Sequence, residues 1–169
     1  MTTSVLVAYG TKSGSTAGIA EIIAETLSEQ GLRAEARPAR EVEEPAEYDA
    51  VILGGGLYAG RWHRDARRFA RRHQRALAGR PVWLFSSGPL DASASERDIP
   101  PVKGVARVAD RLDARGHVTF GGCLEEGARG WIARSILKQG RGGDFRDTEQ
   151  IRAWAQGVAK EVEARQAGG

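Results

Sequence analysis

Val5-Leu6-Val7-Ala8-Tyr9-Gly10-Thr11-Lys12-Ser13-Gly14-Ser15-Thr16 is the stretch that decides the fold. The apolar run from Val5 to Tyr9 has the continuity of a strand buried on both faces. Gly10 ends it, small and polar residues follow, and an amphipathic helix is expected from about Ala17. The first amides of a helix lack intrahelical partners and sit at the positive end of its dipole. A strand, a small-residue loop and a helix start therefore make a place for an anion. Thr11, Ser13, Ser15 and Thr16 add hydroxyl donors, Lys12 adds a cation, and Gly14 lets the backbone approach closely. The alternative is a loop with a Ser/Thr helix cap and no ligand. Phosphate is the expected anion.

Absent residues narrow the kind of phosphate. A nucleotide P-loop needs Lys-Ser/Thr directly after its second glycine, whereas Gly14 precedes Ser15-Thr16. A dinucleotide fingerprint needs Gly-x-Gly-x-x-Gly, and the loop has no Gly-x-Gly pair. A phospho-accepting receiver domain would end its first and third strands on acids, where Tyr9-Gly10 and Leu53-Gly54 stand. The hydroxyl-rich Thr11–Thr16 loop resembles the phosphate loop of flavodoxins, which binds the terminal phosphate of FMN.

Outward from this loop, strands and helices alternate. Ile19, Ile22, Ile23 and Leu27 form a helical stripe within Ala17–Gln30, ending at Gly31. Leu32–Arg37 reads as a short strand, Glu41–Pro45 as a loop or frayed turn, and Ala50–Leu53 as a buried strand breaking into Gly54-Gly55-Gly56. A helix from Arg64 to Ala78, a strand from Pro81 to Phe85 and a helix from Val102 to Arg115 follow. A strand from Val118 to Leu124 and a helix from Thr148 to Ala164 complete the series. Five strands with intervening helices predict an α/β fold, a doubly wound parallel sheet with helices on both faces. The flavodoxin resemblance implies the strand order 2-1-3-4-5, with the ligand beyond the strands' carboxyl ends. No repeat or linker divides the 169 residues, so one domain over 1–165 with a loose tail at 166–169 is expected.

The loops after the third and fourth predicted strands suit cofactor walls. Gly54-Gly55-Gly56-Leu57-Tyr58-Ala59-Gly60-Arg61-Trp62 places glycines and two aromatics at a strand end. A planar isoalloxazine needs an aromatic face and close backbone approach, which Tyr58 or Trp62 and the glycines Gly55, Gly56 and Gly60 could supply. The bland reading is a glycine-rich turn whose aromatics cap the core. Ser86-Ser87-Gly88-Pro89-Leu90-Asp91 offers hydroxyls and exposed amides, or is an ordinary Pro-Gly turn.

Further blocks carry a closer resemblance. These are Tyr48-Asp49-Ala50-Val51, Arg61-Trp62-His63, Phe69-Ala70-Arg71-Arg72-His73, Gly121-Gly122-Cys123-Leu124, Trp131-Ile132 to Ile136-Leu137-Lys138, and Gly142-Gly143-Asp144. With the phosphate loop they are similar, over nearly the whole chain, to the flavodoxin-type menaquinone-dependent protoporphyrinogen oxidases and their short relatives. The resemblance implies noncovalent FMN, with Thr11–Thr16 on the phosphate and Gly55–Trp62 and Ser86–Leu90 flanking the ring. It also implies oxidation of a reduced organic substrate, porphyrinogen-like, with a quinone-type acceptor. The segment 129–143 departs from the family, with Ala133, Ser135, Gln139 and Gly140 where dense aromatics and methionines are usual. There it would be a substrate lid or a membrane-contacting element.

Charge separates the redox roles. The net charge is +3, with pI near 9.3, unlike the strongly acidic electron-shuttle flavodoxins. Arginines 61, 64, 67, 68, 71, 72 and 75 face one acid, Asp65, between positions 61 and 75. They are either a solvated helix surface or a field that steers an anionic partner: porphyrin propionates, an acidic redox protein or lipid headgroups. No nucleic-acid motif accompanies them. Cys123 and Arg129 have the spacing of a cysteine phosphatase loop, but Glu125 and Glu126 between them would repel a phosphate dianion. His63, His73 and His117 show no metal-ligand spacing. No side chain stands out as a general acid or base, as expected where the flavin carries the chemistry. A lone cysteine, no signal peptide and no apolar run near the roughly 18 residues of a membrane span lead to an expected cytoplasmic location, with peripheral membrane contact open. The expectation is an FMN oxidoreductase; the alternatives are a non-catalytic electron carrier and a flavin-free binding module.

Overall fold

The computed structural model describes residues 2–12, 14–58, 60–88, 99–121 and 147–168, with side chains through 165. Successive side chains of a strand point to opposite faces, and this alternation sorts the apolar residues into two cores. Val5, Val7, Ile52, Trp83 and Phe85 face one side; Leu6, Ala8, Val51, Leu53, Val82 and Leu84 face the other. The strands that carry them are β1 (Ser4–Gly10), β2 (Arg33–Pro38), β3 (Ala50–Tyr58), β5 (Val82–Ser87) and β6 (Gly116–Phe120). They pair in parallel in the order β2-β1-β3-β5-β6. A two-residue strand β4 (Arg61–Trp62) turns back antiparallel on the end of β3, pairing Leu57 with Trp62 and Tyr58 with Arg61.

Helices cover both faces. On the first lie α1 (Ser15–Glu29) and α5 (Thr148–Gly168), contributing Ile19, Ile23, Leu27, Ile151, Ala155 and Val158. On the second lie α2 (Arg64–Arg72), α3 (Gln74–Leu77) and α4 (Lys103–Leu112), contributing Phe69, Leu77, Val105, Val108 and Leu112. Each large apolar side chain, fully buried, stabilises the fold by about 1.5–3 kcal/mol before entropy is counted. The Trp83 indole N–H donates to Glu161 Oε2 at 2.7 Å, tying α5 to strand β5. Among the described residues no helix is long and apolar enough to cross a membrane.

The doubly wound architecture and the strand order agree with the sequence reading, with the fourth and fifth predicted strands appearing as β5 and β6. The boundaries differ for physical reasons. Strand β3 does not break at Gly54 but runs through Gly54-Gly55-Gly56 to Tyr58. A Cβ at Gly54 would fall inside the Phe85 ring, and one at Gly55 would sit 2.6 Å from the Trp62 indole nitrogen. Here glycine marks close packing, not the end of a strand. The helix expected over Arg64–Ala78 divides at His73, whose ring turns into the core against Phe69, with centroids 4.7 Å apart. Ser86 and Ser87 belong to β5, not to the loop after it.

Candidate functional site

Parallel register brings the three predicted loops to one edge. Gly10 of β1 lies beside Gly55 of β3, which lies beside Ser86 of β5. The chain therefore leaves all three strands side by side, at the carboxyl edge where ligands of such sheets bind.

The first loop is shaped for an anion. Gly14 is left-handed, with φ of 84°, and immediately precedes α1. Its amide donates to Thr11 Oγ1 at 3.2 Å, closing the turn. No acid stands in the first turn of α1, so nothing opposes the positive end of the dipole. Thr16 is fully buried there, and its Oγ1 has no hydrogen-bond partner among the described residues. A buried hydroxyl left unpaired costs about 1–3 kcal/mol, a penalty that a ligand oxygen would relieve. Ser15, 8% exposed, adds a second hydroxyl to the turn. This donor set fits a phosphate. Ser13 lies outside the described residues.

The second loop is a hairpin locked onto the first. Tyr58 Oη accepts the Lys12 backbone N–H at 2.9 Å, and Lys12 Nζ stands 5.2 Å from the centre of the Tyr58 ring. The same ring meets His63 edge-on, with centroids 5.8 Å apart. Tyr58 is half-buried, whereas Trp62 is only 2% exposed and lies in the core against Gly55. Of the two aromatics expected to offer a flat face, only Tyr58 keeps part of its surface at the site. Gly56 is held close to the Tyr58 ring, and Gly60, at φ of 74°, makes the turn into β4. Leu57 packs against Gly88; Ala59 lies outside the described residues.

The third loop is only partly described. Ser86 and Ser87 are buried, and Ser86 Oγ bonds His117 Nε2 at 2.9 Å across to β6. The Ser86 hydroxyl, expected to face the ligand, is instead engaged within the sheet. Gly88 donates its amide to the Phe120 carbonyl at 3.0 Å. Pro89 and Leu90 lie outside the described residues, as does the segment 129–143.

Beside the first two loops is a cavity of about 490 Å³ that sequence reading did not assemble. Lys12, Arg40, Arg61, Arg64 and Arg67 line it with a single carboxylate, Asp65. Arg40 comes from the turn after β2, and no sequence pattern links it to the rest. His63 precedes α2, and its Nδ1 accepts the Asp65 amide at 3.1 Å. Burial holds the His63 pKa below its ordinary value, and Arg64, Lys12 and Arg67 push the same way against Asp65. Among the described residues no cluster of three or more His, Cys, Asp or Glu is placed to hold a metal ion.

Residues 6–148 match the flavodoxin domain family. The chain belongs to that family. The protoporphyrinogen IX dehydrogenase (quinone) of Escherichia coli K12 is 30% identical to this flavodoxin-family chain over 104 residues, covering 60% of the chain and 57% of the relative's length. Among solved structures, the rubredoxin oxygen:oxidoreductase of Desulfovibrio gigas aligns at a TM-score of 0.64 and 13% identity, over 97% of this chain and 37% of that one. A Fusobacterium nucleatum flavodoxin mutant bound to flavin mononucleotide aligns at 0.52 and 18% identity, over 70% of this chain and 68% of that one. At such identities the structural likeness speaks to the fold.

Proposed function

We propose that residues 1–165 form one FMN-binding domain of an oxidoreductase that takes electrons from a reduced organic donor of the porphyrinogen kind and passes them to a quinone-type acceptor. The observation that carries the reading is the fully buried, unpartnered Thr16 hydroxyl in the first turn of α1, behind the left-handed Gly14. Family membership and the similarity to a quinone-linked protoporphyrinogen dehydrogenase support the cofactor and the reaction class. Thr11, Lys12, Ser13, Gly14, Ser15 and Thr16 would hold the phosphate. Gly55–Gly60 and Gly88–Leu90 would border the ring, with Tyr58 as its aromatic neighbour and Trp62 as the support packed on Gly55. Bound FMN supplies reversible electron transfer. The chain's part is to place the ring, to fix the first loop against the hairpin through Lys12 and Tyr58, and to set a positive field through its arginines.

A second reading, an electron carrier that docks acidic redox proteins, is favoured by the exposed Arg67, Arg68, Arg71, Arg72 and Arg75. The test begins with the visible spectrum of purified protein and the flavin released on denaturation, followed by anaerobic mixing with protoporphyrinogen IX and then a quinone. Flavin bleached by the donor and recoloured by the quinone supports the enzyme. Bleaching only by a protein reductase, with steep salt dependence, supports the carrier. Colourless protein that takes up no added FMN overturns both.

A further inference from the structure

Most of the arginines between positions 61 and 75 read as surface, but the structure divides them. All five of Arg61, Arg64, Arg67, Arg71 and Arg75 are exposed, but Arg71 and Arg75 line no part of the basic cavity. Arg61, Arg64 and Arg67 line it, Arg64 and Arg67 being three residues apart on α2 and so on one helix face. Lys12 joins them from the first loop and Arg40 from the turn after β2, so three separate segments deliver cations to one space.

We propose that this cavity binds the carboxylates of an anionic electron donor, with Arg40, Arg61, Arg64 and Arg67 as its cationic groups and Lys12 of the flavin loop at its border. The proposal rests on the FMN-oxidoreductase reading and adds the residues that recognise the donor's acid groups. Arginine guanidinium groups match carboxylates in planar, bidentate pairs. The cavity has a single acid, Asp65, and its Oδ1 lies 3.9 Å from Arg64 Nε. The field at His63 supports this placement, since Arg64, Lys12 and Arg67 all disfavour its protonation. Tyr58 forms part of the wall and also borders the proposed flavin site, which places bound carboxylates next to the ring neighbourhood. A volume of about 490 Å³ suits a small molecule or the carboxylate edge of a larger one. A tetrapyrrole carrying two propionates has this chemistry.

The test uses FMN-loaded protein and two probes, protoporphyrin IX and its uncharged dimethyl ester, with binding read by porphyrin fluorescence. The diacid should bind, with an affinity that weakens as salt rises. An Arg64→Gln, Arg67→Gln double variant should weaken it about tenfold or more, the loss of two charge-assisted contacts. An Arg71→Gln, Arg75→Gln double variant should stay within about twofold, as expected for exposed charges that touch no ligand. Equal binding of acid and ester, or indifference to the Arg64/Arg67 change, overturns the proposal while FMN binding stands. FMN carries an anion of its own, so FMN and riboflavin affinities are measured in the same variants. If the Arg64/Arg67 change abolishes the preference for FMN over riboflavin, the cavity belongs to the flavin phosphate and the proposal also fails. If wild-type protein binds no FMN, the underlying functional reading fails first.

Discussion

The Tyr58 hydroxyl takes the backbone N–H of Lys12 at 2.9 Å, joining the loop after β1 to the hairpin after β3. These segments are far apart in sequence, and among the described residues no other hydrogen bond joins them. In Tyr58→Phe the ring stays and the acceptor goes. Urea unfolding should show a loss of about 1 kcal/mol, and FMN affinity should fall several-fold as the first loop loosens. Unchanged affinity would separate the hairpin from the phosphate loop.

Thr16 predicts opposite effects with and without cofactor. Thr16→Val keeps the shape and removes the unpaired hydroxyl, so the flavin-free protein should gain about 1 kcal/mol in urea unfolding. FMN binding should weaken about tenfold, while riboflavin binding, which needs no phosphate contact, should not change. Fluorescence titration with both flavins reads the difference.

The glycine run is a packing requirement. Gly54→Ala forces a methyl group into the Phe85 ring at the centre of the sheet. The change should cost about 3 kcal/mol of stability, read as a lower urea midpoint with an unchanged slope. A companion Phe85→Leu change, which removes the opposing ring, should recover part of the loss.

Two histidines drawn in from solvent make the fold acid-sensitive. Burial lowers the pKa of both His63 and His73 from 6.5, with Arg72 adding to the effect at His73. The folded state keeps them neutral while the unfolded chain binds protons below its higher pKa. Their stability penalty is absent above that value, grows as pH falls through 6.5, and is complete below the depressed folded values. The urea midpoint should drop between about pH 7.5 and pH 5.5. The drop should shrink in a His63→Asn, His73→Asn double variant, where the new amide before α2 still supplies a helix cap.

The sheet was legible because Val5–Tyr9, Ala50–Leu53 and Pro81–Phe85 are apolar runs between turn residues, and such runs read the same whatever packs on them. Local patterns could not reveal what distant neighbours decide. Gly54–Gly56 resembles a break until Phe85, Trp62 and Tyr58 are seen to fill the space of the missing side chains. Ser86 looks like a loop hydroxyl until His117 on β6 claims it. Trp62 looks available for stacking, yet the two-residue strand β4 folds it into the core. The strand–loop–helix start at Thr11–Thr16 could be read because its parts are contiguous. The basic cavity could not, because Arg40, Lys12 and the α2 arginines meet only in three dimensions.

An FMN site built on the Thr11–Thr16 loop stands or falls on paired titration with FMN and riboflavin. FMN should bind with quenching of its fluorescence and at least about tenfold more tightly than riboflavin, the difference being the phosphate. Equal affinities would remove the phosphate from this loop, and no binding of either flavin would contradict the cofactor and the redox role together.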